Sequence, residues 1–173
     1  MRQVRTMKFR NLLLAGCMAA LGLPPCHAQS CPSTNTIPEL LKALDDAVSG
    51  PGNKDRTCLR GLMAPDAKLI PVSKTPEGKW EPQALSVEDW VARVAKRGDK
   101  EFYERQVKYS TESFGQIAQI WSTFEIRPTP DGKAMARGIN AIQAMNDGSG
   151  WKVTQIVWKD ESPDDPVPAK DLP

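Results

Sequence analysis

The sequence contains only one histidine, His27, and that residue lies at the end of an N-terminal segment typical of an export signal. If this segment is removed, the remaining chain has no histidine. It then lacks the side chain most often used as a general base, any Ser-His or Cys-His pair, and any histidine ligand for a metal. We expect no bound metal and no cofactor.

Long apolar runs are also absent. The longest, Leu12–Leu23, is shorter than the roughly 20 residues that span a bilayer, but it suits a signal peptide. Four basic residues and no acid precede it, and a small-x-small site ending at Ala28 follows it. We predict a signal peptide over residues 1–28, cleaved after Ala28, whether translation starts at Met1 or Met7. The mature protein is then periplasmic or secreted, with no transmembrane segment.

A second interpretation of the same segment is a lipoprotein signal. Leu14–Ala15–Gly16–Cys17 resembles a lipobox, which would attach lipid to Cys17. The apolar run before Cys17 would then be very short, and the mature chain would begin with apolar residues. Soluble export is the favoured prediction.

Positive charge is scarce once the signal is removed. The four basic residues of the signal leave 19 Lys and Arg against 21 Asp and Glu, so the formal net charge changes from +2 to −2. No basic stripe remains, and we expect no nucleic-acid partner.

Two of the four cysteines, Cys31 and Cys58, follow the signal. In an oxidising compartment the simplest prediction is a disulfide between them, worth about 3–4 kcal/mol in the chain-entropy model. A redox or nucleophilic thiol is disfavoured because CxxC spacing and a histidine partner are both missing.

Residues 29–35 form a polar lead-in, residues 36–160 a single α+β domain, and residues 161–173 a tail rich in proline and acid. A capping box and the spacing of apolar residues predict a helix from Ile37 to Val48. Similar patterns predict helices over Asp55–Met63 and after Ser86.

Strands dominate the second half of the chain. Gln116–Arg127, Lys133–Met145 and Trp151–Lys159 are rich in β-formers and separated by turn residues, which predicts an antiparallel meander. Ala67–Val72 is a predicted short strand. Phe102–Ser113 is predicted as a long polar strand, although its first half could form a helix.

Symmetric loops would divide the meander into two faces. The odd-numbered face would carry Trp121, Glu125, Arg137, Ile139, Gln143, Val153, Gln155 and Val157. The even-numbered face would carry Ile120, Ser122, Phe124, Ala136, Gly138, Asn140, Ile142, Thr154, Ile156 and Trp158. A two-residue turn at Phe114–Gly115 would add Tyr103, Arg105, Val107 and Tyr109 to the even face. We expect the helices on the even face and, on the odd face, either a homodimer contact or the tail.

Four segments support a family resemblance: Phe114–Ala118, Ser122–Glu125, Arg137–Asn140 and Gly150–Val153. Helices followed by a curved sheet ending in a Gly-Trp-x-Val strand resemble exported bacterial members of the nuclear transport factor 2-like superfamily, which includes polyketide cyclase-like and ketosteroid isomerase-like proteins. The resemblance implies a cone-shaped α+β fold with a strongly curved antiparallel sheet, two or three N-terminal helices on its concave face, a pocket between them, and dimerisation through the outer face.

The candidate pocket residues are Trp90, Arg105, Tyr109, Ser122, Phe124, Asn140 and Trp158. The aromatic residues could line a ligand site or simply form core. Asn140 and Ser122 would be buried and need hydrogen-bond partners. Arg105 would favour an anionic ligand if it pointed inward, and otherwise would be solvated. Glu125 and Arg137 are predicted to form a cross-strand ion pair.

These observations favour an exported domain that binds a small apolar or amphipathic molecule without transforming it. Enzymes of the superfamily that this sequence resembles often use an aspartate deep in the cone. The predicted strands of this chain have no aspartate before Asp160. One alternative is an enzyme of proton-transfer or hydration type, isomerase-like or dehydratase-like, that uses a buried Glu or Tyr. Another is a protein-interaction or dimerisation module.

Overall fold

The computed structural model describes residues 31–173. The predicted signal peptide and Cys17 therefore lie outside the described residues. The predicted disulfide between Cys31 and Cys58 is present, with 5.3 Å between the two Cα atoms. Within residues 31–173, no helix combines the length and apolarity needed to cross a membrane.

Three helices precede or interrupt the sheet: α1 (Ile37–Val48), α2 (Thr57–Leu62) and α3 (Val87–Ala95). The predicted capping boxes are formed, Thr36 with Glu39 before α1 and Ser86 with Asp89 before α3. Each box satisfies backbone N–H groups that a helix start leaves unpaired. The sequence therefore determines where α1 and α3 begin.

Seven strands form one curved, mostly antiparallel sheet. They are β1 (Gly50–Pro51), β2 (Met63–Lys74), β3 (Trp80–Pro82), β4 (Glu101–Phe114), β5 (Ile117–Arg127), β6 (Ala136–Asn146) and β7 (Trp151–Asp160). Their order across the sheet is β1-β4-β5-β6-β7-β2-β3. The predicted meander is confirmed, whereas the helical alternative for the first half of β4 is wrong.

The pairing of β2 with β7 was not predicted. Strand β2 is 12 residues long and pairs in parallel with β7, so an early strand closes the sheet beside the last one. Parallel pairing joins strands distant in sequence, and local patterns in either strand give no sign of it. This contact places α2, which directly precedes β2, against the same side of the sheet as α1.

The register of β5 against β6 agrees with the prediction. Ser122 lies opposite Asn140, and Glu125 lies opposite Arg137. The side chains of Ile120, Phe124 and Ile142 are buried and pack beneath the helices. We call this helix-covered side the concave face and the other side the convex face.

Two β-bulges reverse parts of the predicted pattern. The bulge between Gln106 and Lys108 places Arg105 opposite Glu125 on the convex face and turns Glu104 and Gln106 inward. A second bulge lies in β7 opposite Gln143 and Ala144. It turns Val153 inward and leaves Thr154 as the extra residue, with no pairing partner in β6. A bulge adds one residue to one strand, so every side chain beyond it changes face.

The turn between β4 and β5 also differs from the prediction. Phe114 pairs with Ile117, so the turn residues are Gly115 and Gln116 rather than Phe114 and Gly115. Gly115 has a φ of 55°, in the left-handed region that favours glycine. With this register Tyr109 still lies opposite Ser122, but it is 43% exposed.

The tail crosses the convex face. Thr123 donates a hydrogen bond to the Asp171 carbonyl at 2.6 Å, and Lys108 donates one to the Leu172 carbonyl at 2.7 Å. Val167 is buried. Residues 161–173 thus occupy part of the face to which the sequence assigned either a homodimer contact or the tail.

Candidate functional site

A cavity of about 180 Å³ lies between the helices and the concave face. Most of its lining is aliphatic or aromatic, with three polar residues among the walls. The lining residues are Leu44, Val48, Leu59, Met63, Leu69, Trp90, Val94, Arg97, Phe102, Glu104, Phe124, Ile126, Asn140, Ile156 and Trp158. The cavity is therefore an apolar space with a few polar groups, the usual composition of a small-molecule site.

The structure brings together four of the seven predicted pocket residues. Trp90, Phe124, Asn140 and Trp158 all line the cavity. The Phe124 ring lies close to the backbone of Gly138, where a Cβ atom would lie 2.7 Å from the ring. Glycine at position 138 therefore makes room for the aromatic floor of the cavity.

Arg105 and Tyr109 do not line the cavity. The bulge in β4 removes Arg105 from the concave register, and its Nη1 lies 3.9 Å from Asp46 Oδ1. The prediction of an inward Arg105 is wrong for this reason. Ser122 also does not line the cavity, but it is fully buried beneath it and donates a hydrogen bond to Gln106.

A polar cluster closes one side of the cavity. It consists of Asp45, Glu104, Gln106, Ser122 and Asn140. The Gln106 amide nitrogen donates to both carboxylates, to Asp45 Oδ1 at 3.2 Å and to Glu104 Oε1 at 3.1 Å. The Gln106 carbonyl oxygen accepts from Ser122 at 2.6 Å and from Asn140 at 3.3 Å. These hydrogen bonds provide the partners that buried polar groups require.

Glu104 is the member of the polar cluster that offers a free atom to the cavity. Its Oε1 accepts hydrogen bonds from Gln106 and, at 3.2 Å, from Asn140. Within residues 31–173, no hydrogen bond engages Oε2. Since Glu104 lines the cavity, Oε2 can interact with a ligand there.

The two carboxyl groups of the polar cluster have raised pKa values. Burial and, to a smaller extent, the nearby Asp45 charge raise the pKa of Glu104 to about 7, although hydrogen bonds from Asn140 and Gln106 act in the opposite direction. Burial likewise raises the pKa of Asp45 to about 6, opposed mainly by hydrogen bonds from Gln106. Near neutral pH, Glu104 can therefore both release and accept a proton.

Two arginines lie next to aromatic residues of the cavity wall, and of these two Arg97 lines the cavity itself. The Arg56 guanidinium is 5.8 Å from the Trp90 ring centroid, and that of Arg97 is 3.8 Å from the Phe102 ring centroid. Arg56 donates to the backbone carbonyls of Ala47, Ser49 and Pro51. Burial lowers the pKa of both arginines, and the charge of Arg97 lowers that of Arg56 further.

A polar groove adjoins the cavity between α3 and β2. The two share the lining residues Trp90, Val94, Arg97 and Trp158, and the groove continues past Arg93 and Asp160. Burial raises the pKa of Asp160. The groove and the cavity therefore share one wall.

Sequence reasoning missed Asp45, Glu104 and Arg97. A usable signal existed for two of them. Asp45 has the helical phase of Leu41 and Val48, and Arg97 continues the spacing of Trp90 and Val94. No local pattern marks Glu104, because its inward orientation depends on the bulge.

The predicted Glu125–Arg137 pair lies outside the cavity, on the convex face. Arg137 Nε is 3.7 Å from Glu125 Oε1, and Arg127 Nη2 is 2.7 Å from Glu125 Oε2. Within residues 31–173, no group of three or more Cys, Asp or Glu side chains is arranged to hold a metal ion.

Solved structures of similar fold are known. A nuclear transport factor 2-like protein of unknown function from Methylobacillus flagellatus is 12% identical, with a TM-score of 0.50 over 76% of this chain and 99% of that one. A protein of unknown function with a cystatin-like fold from Nostoc punctiforme is 10% identical, with a TM-score of 0.51 over 75% and 96%.

Sequence comparison adds no closer relative: no protein-family model matches the chain, and no curated protein matches it significantly. At the low identities of the structural matches, the likeness concerns the fold and not the chemistry. The chain therefore has the nuclear transport factor 2-like fold.

Proposed function

We propose that this protein binds a small, mostly apolar molecule in the cone cavity. The observation that carries the proposal is the apolar cavity of about 180 Å³ with a polar cluster at one side. An apolar cavity of about 150 Å³ engineered in another protein binds benzene. The ligand portion inside the cavity is therefore about the size of one aromatic ring.

Glu104 is the proposed polar anchor of this ligand. Its free Oε2 can accept a hydrogen bond when ionised and donate one when protonated. An amide, hydroxyl or carbonyl group on the ligand would meet this requirement.

Binding of benzamide, measured by calorimetry and by quenching of tryptophan fluorescence, tests the proposal. Val94→Phe fills the cavity and should abolish binding, because Val94 lines it. Val91→Phe makes the same change one turn earlier on α3, at a half-buried residue outside the cavity lining, and should leave binding intact. Equal binding by both variants, or none by the unmodified protein, would contradict the proposal.

A second candidate is an enzyme that transfers a proton on the bound molecule. It is favoured by Glu104, whose buried carboxyl faces the cavity with a pKa of about 7. Such a carboxylate could remove a proton next to a carbonyl group, and Asn140 holds it in place.

Deuterium exchange at the α-carbon of acetophenone, followed by NMR in deuterated buffer, distinguishes the two candidates. Glu104 catalysis predicts exchange that Glu104→Gln abolishes and that Glu112→Gln, a change at an exposed residue of the same strand, leaves unchanged. Exchange no faster than in buffer would leave binding as the function.

We further propose that the protein is exported and cleaved after Ala28. The Cys31–Cys58 disulfide supports this because such bonds persist in oxidising compartments. Mass spectrometry of the protein recovered after expression in a bacterium should give a mature chain beginning at Gln29. A mature chain beginning at a lipidated Cys17 would favour the lipoprotein alternative.

A further inference from the structure

Arg97 is a partly buried arginine of the cavity wall whose hydrogen-bonding capacity is not fully used by the protein. It directly follows α3 and lines both the cavity and the adjoining groove. One face of its guanidinium packs on the Phe102 ring at 3.8 Å. This contact is a cation–π interaction that leaves the edges of the guanidinium free for in-plane hydrogen bonds.

One of those edges lacks a partner. The Arg97 Nε and Nη2 atoms are buried and have no hydrogen-bond partner within residues 31–173. Leaving buried donors unpaired costs free energy, and the cost is greater when the group is charged. A ligand that paired with both atoms would remove that cost.

Arg60 of the same chain shows which chemical group pairs with this edge of a guanidinium. Arg60 Nε and Nη2 hold the two carboxylate oxygens of Glu88 at 2.6 and 2.8 Å. A carboxylate matches the spacing of these two nitrogens, which explains the stability of such two-point pairs. In Arg97 the same two nitrogens have no hydrogen-bond partner within residues 31–173.

The two arginines next to the cavity also favour an anion. Within the described part of the chain, neither Arg97 nor Arg56 forms an ion pair. Arg56 is satisfied mainly by backbone carbonyls, so its charge is not compensated by a carboxylate. Two positive charges therefore lie beside the aromatic residues of the cavity.

We propose that Arg97 binds the carboxylate of the ligand, and that the ligand class is small monocarboxylates with an apolar body of single-ring size. This inference rests on the proposed binding function and adds the charge of the ligand to it. Because Nε and Nη2 are covered, the proposal requires the Arg97 side chain to turn toward the cavity when the ligand binds.

Benzoate and benzamide test the inference because they share one ring and nearly one shape but differ in charge. Calorimetry at about pH 6 is suitable, since the raised pKa of Glu104 then keeps most of that carboxyl neutral. We expect the unmodified protein to bind benzoate at least about tenfold more tightly than benzamide, because hydrogen bonds to charged groups are the stronger ones.

Variants then assign the preference to Arg97. Arg97→Gln should bring the ratio of benzamide to benzoate dissociation constants close to one. Arg97→Lys keeps the charge but loses the two-point geometry and should retain an intermediate ratio. Lys96→Gln, an equal loss of charge at the exposed neighbouring residue, should keep the ratio of the unmodified protein.

The outcomes separate the two proposals. Benzamide binding without a benzoate preference would overturn the carboxylate inference and leave the proposed binding function standing. Failure of both probes to bind the unmodified protein would overturn both. A benzoate preference that survives Arg97→Gln, in a variant whose circular dichroism is unchanged, would exclude Arg97 as its source.

Discussion

The two faces of the sheet are stabilised in different ways. The concave face lies under three helices and carries fully buried apolar side chains, a cavity and a buried polar cluster. The convex face is crossed by a single tail and keeps large residues such as Trp121 partly exposed. Neighbouring residues of one strand thus have different surroundings: concave residues pack beneath the helices, whereas convex residues contact the tail or solvent.

Truncation of one aromatic residue on each face should show the largest contrast. Phe124→Ala removes a ring that is 2% exposed, and we expect a loss of about 3–5 kcal/mol in the free energy of unfolding. Trp121→Ala removes a larger ring that is 45% exposed, and we expect a loss of about 1 kcal/mol or less. Urea denaturation measures both, and equal losses would remove the distinction between the faces.

Titration of the buried carboxyl groups should give the next largest effect. Glu104 has a folded-state pKa of about 7 against an ordinary value of 4.5, so the folded protein binds more protons than the unfolded chain between these values. Its contribution to stability is present below about pH 4.5 and is lost as pH rises through 7. We expect the free energy of unfolding to fall by about 2–3 kcal/mol between pH 5 and 8, and Asp45 contributes to this loss in the lower part of that pH range.

Glu104→Gln should flatten this pH dependence, because a neutral amide oxygen can still accept from Asn140 and Gln106. Urea denaturation at several pH values measures the slope. Glu112→Gln, at the exposed end of β4, is the matched control and should retain the slope of the unmodified protein. A stability that rises from pH 5 to 8 would contradict the burial of Glu104.

Removal of the tail should have a smaller effect. A chain ending at Asp160 loses the burial of Val167 and the hydrogen bonds made by Thr123 and Lys108. The ordering entropy of the tail offsets much of this, so we expect a loss of about 1–2 kcal/mol. Benzamide binding should be unchanged, since the tail does not line the cavity. A truncated chain that no longer binds benzamide would show that the two faces depend on each other.

The ion pair on the convex face should contribute least. Glu125 and Arg137 are 3.7 Å apart, and Arg127 competes for the same carboxylate. A double-mutant cycle with Glu125→Gln and Arg137→Gln should give a coupling of about 0.5 kcal/mol or less. A coupling several times larger would show that this ion pair stabilises the convex face more than its partial exposure indicates.

The sequence allowed prediction of those parts of the fold that depend on local patterns. The capping boxes predicted where α1 and α3 begin, and symmetric turns predicted that Glu125 lies opposite Arg137 and that Asn140 and Ser122 share a face. The parallel pairing of β2 with β7 was not predictable in this way, because it joins residues far apart in sequence. Local propensity carries no information about such contacts.

The candidate site was only partly predictable for a related reason. Asn140 and Phe124 were placed correctly because no bulge lies between them and the turn. The bulge in β4 exchanged Arg105 for Glu104 at the cavity, and nothing in the residues around Val107 marks it. A single inserted residue thus changed the predicted polar group of the site from a cation to an acid.

The most direct test of the account is an NMR titration of the Glu104 side-chain carboxyl carbon, assigned by its loss in Glu104→Gln. We predict a midpoint near pH 7 in the free protein, as burial in the cavity wall requires, and a change in that midpoint when benzamide is added to saturation. A midpoint near the ordinary value of 4.5 that benzamide leaves unchanged would contradict both the buried carboxyl and the ligand site built around it.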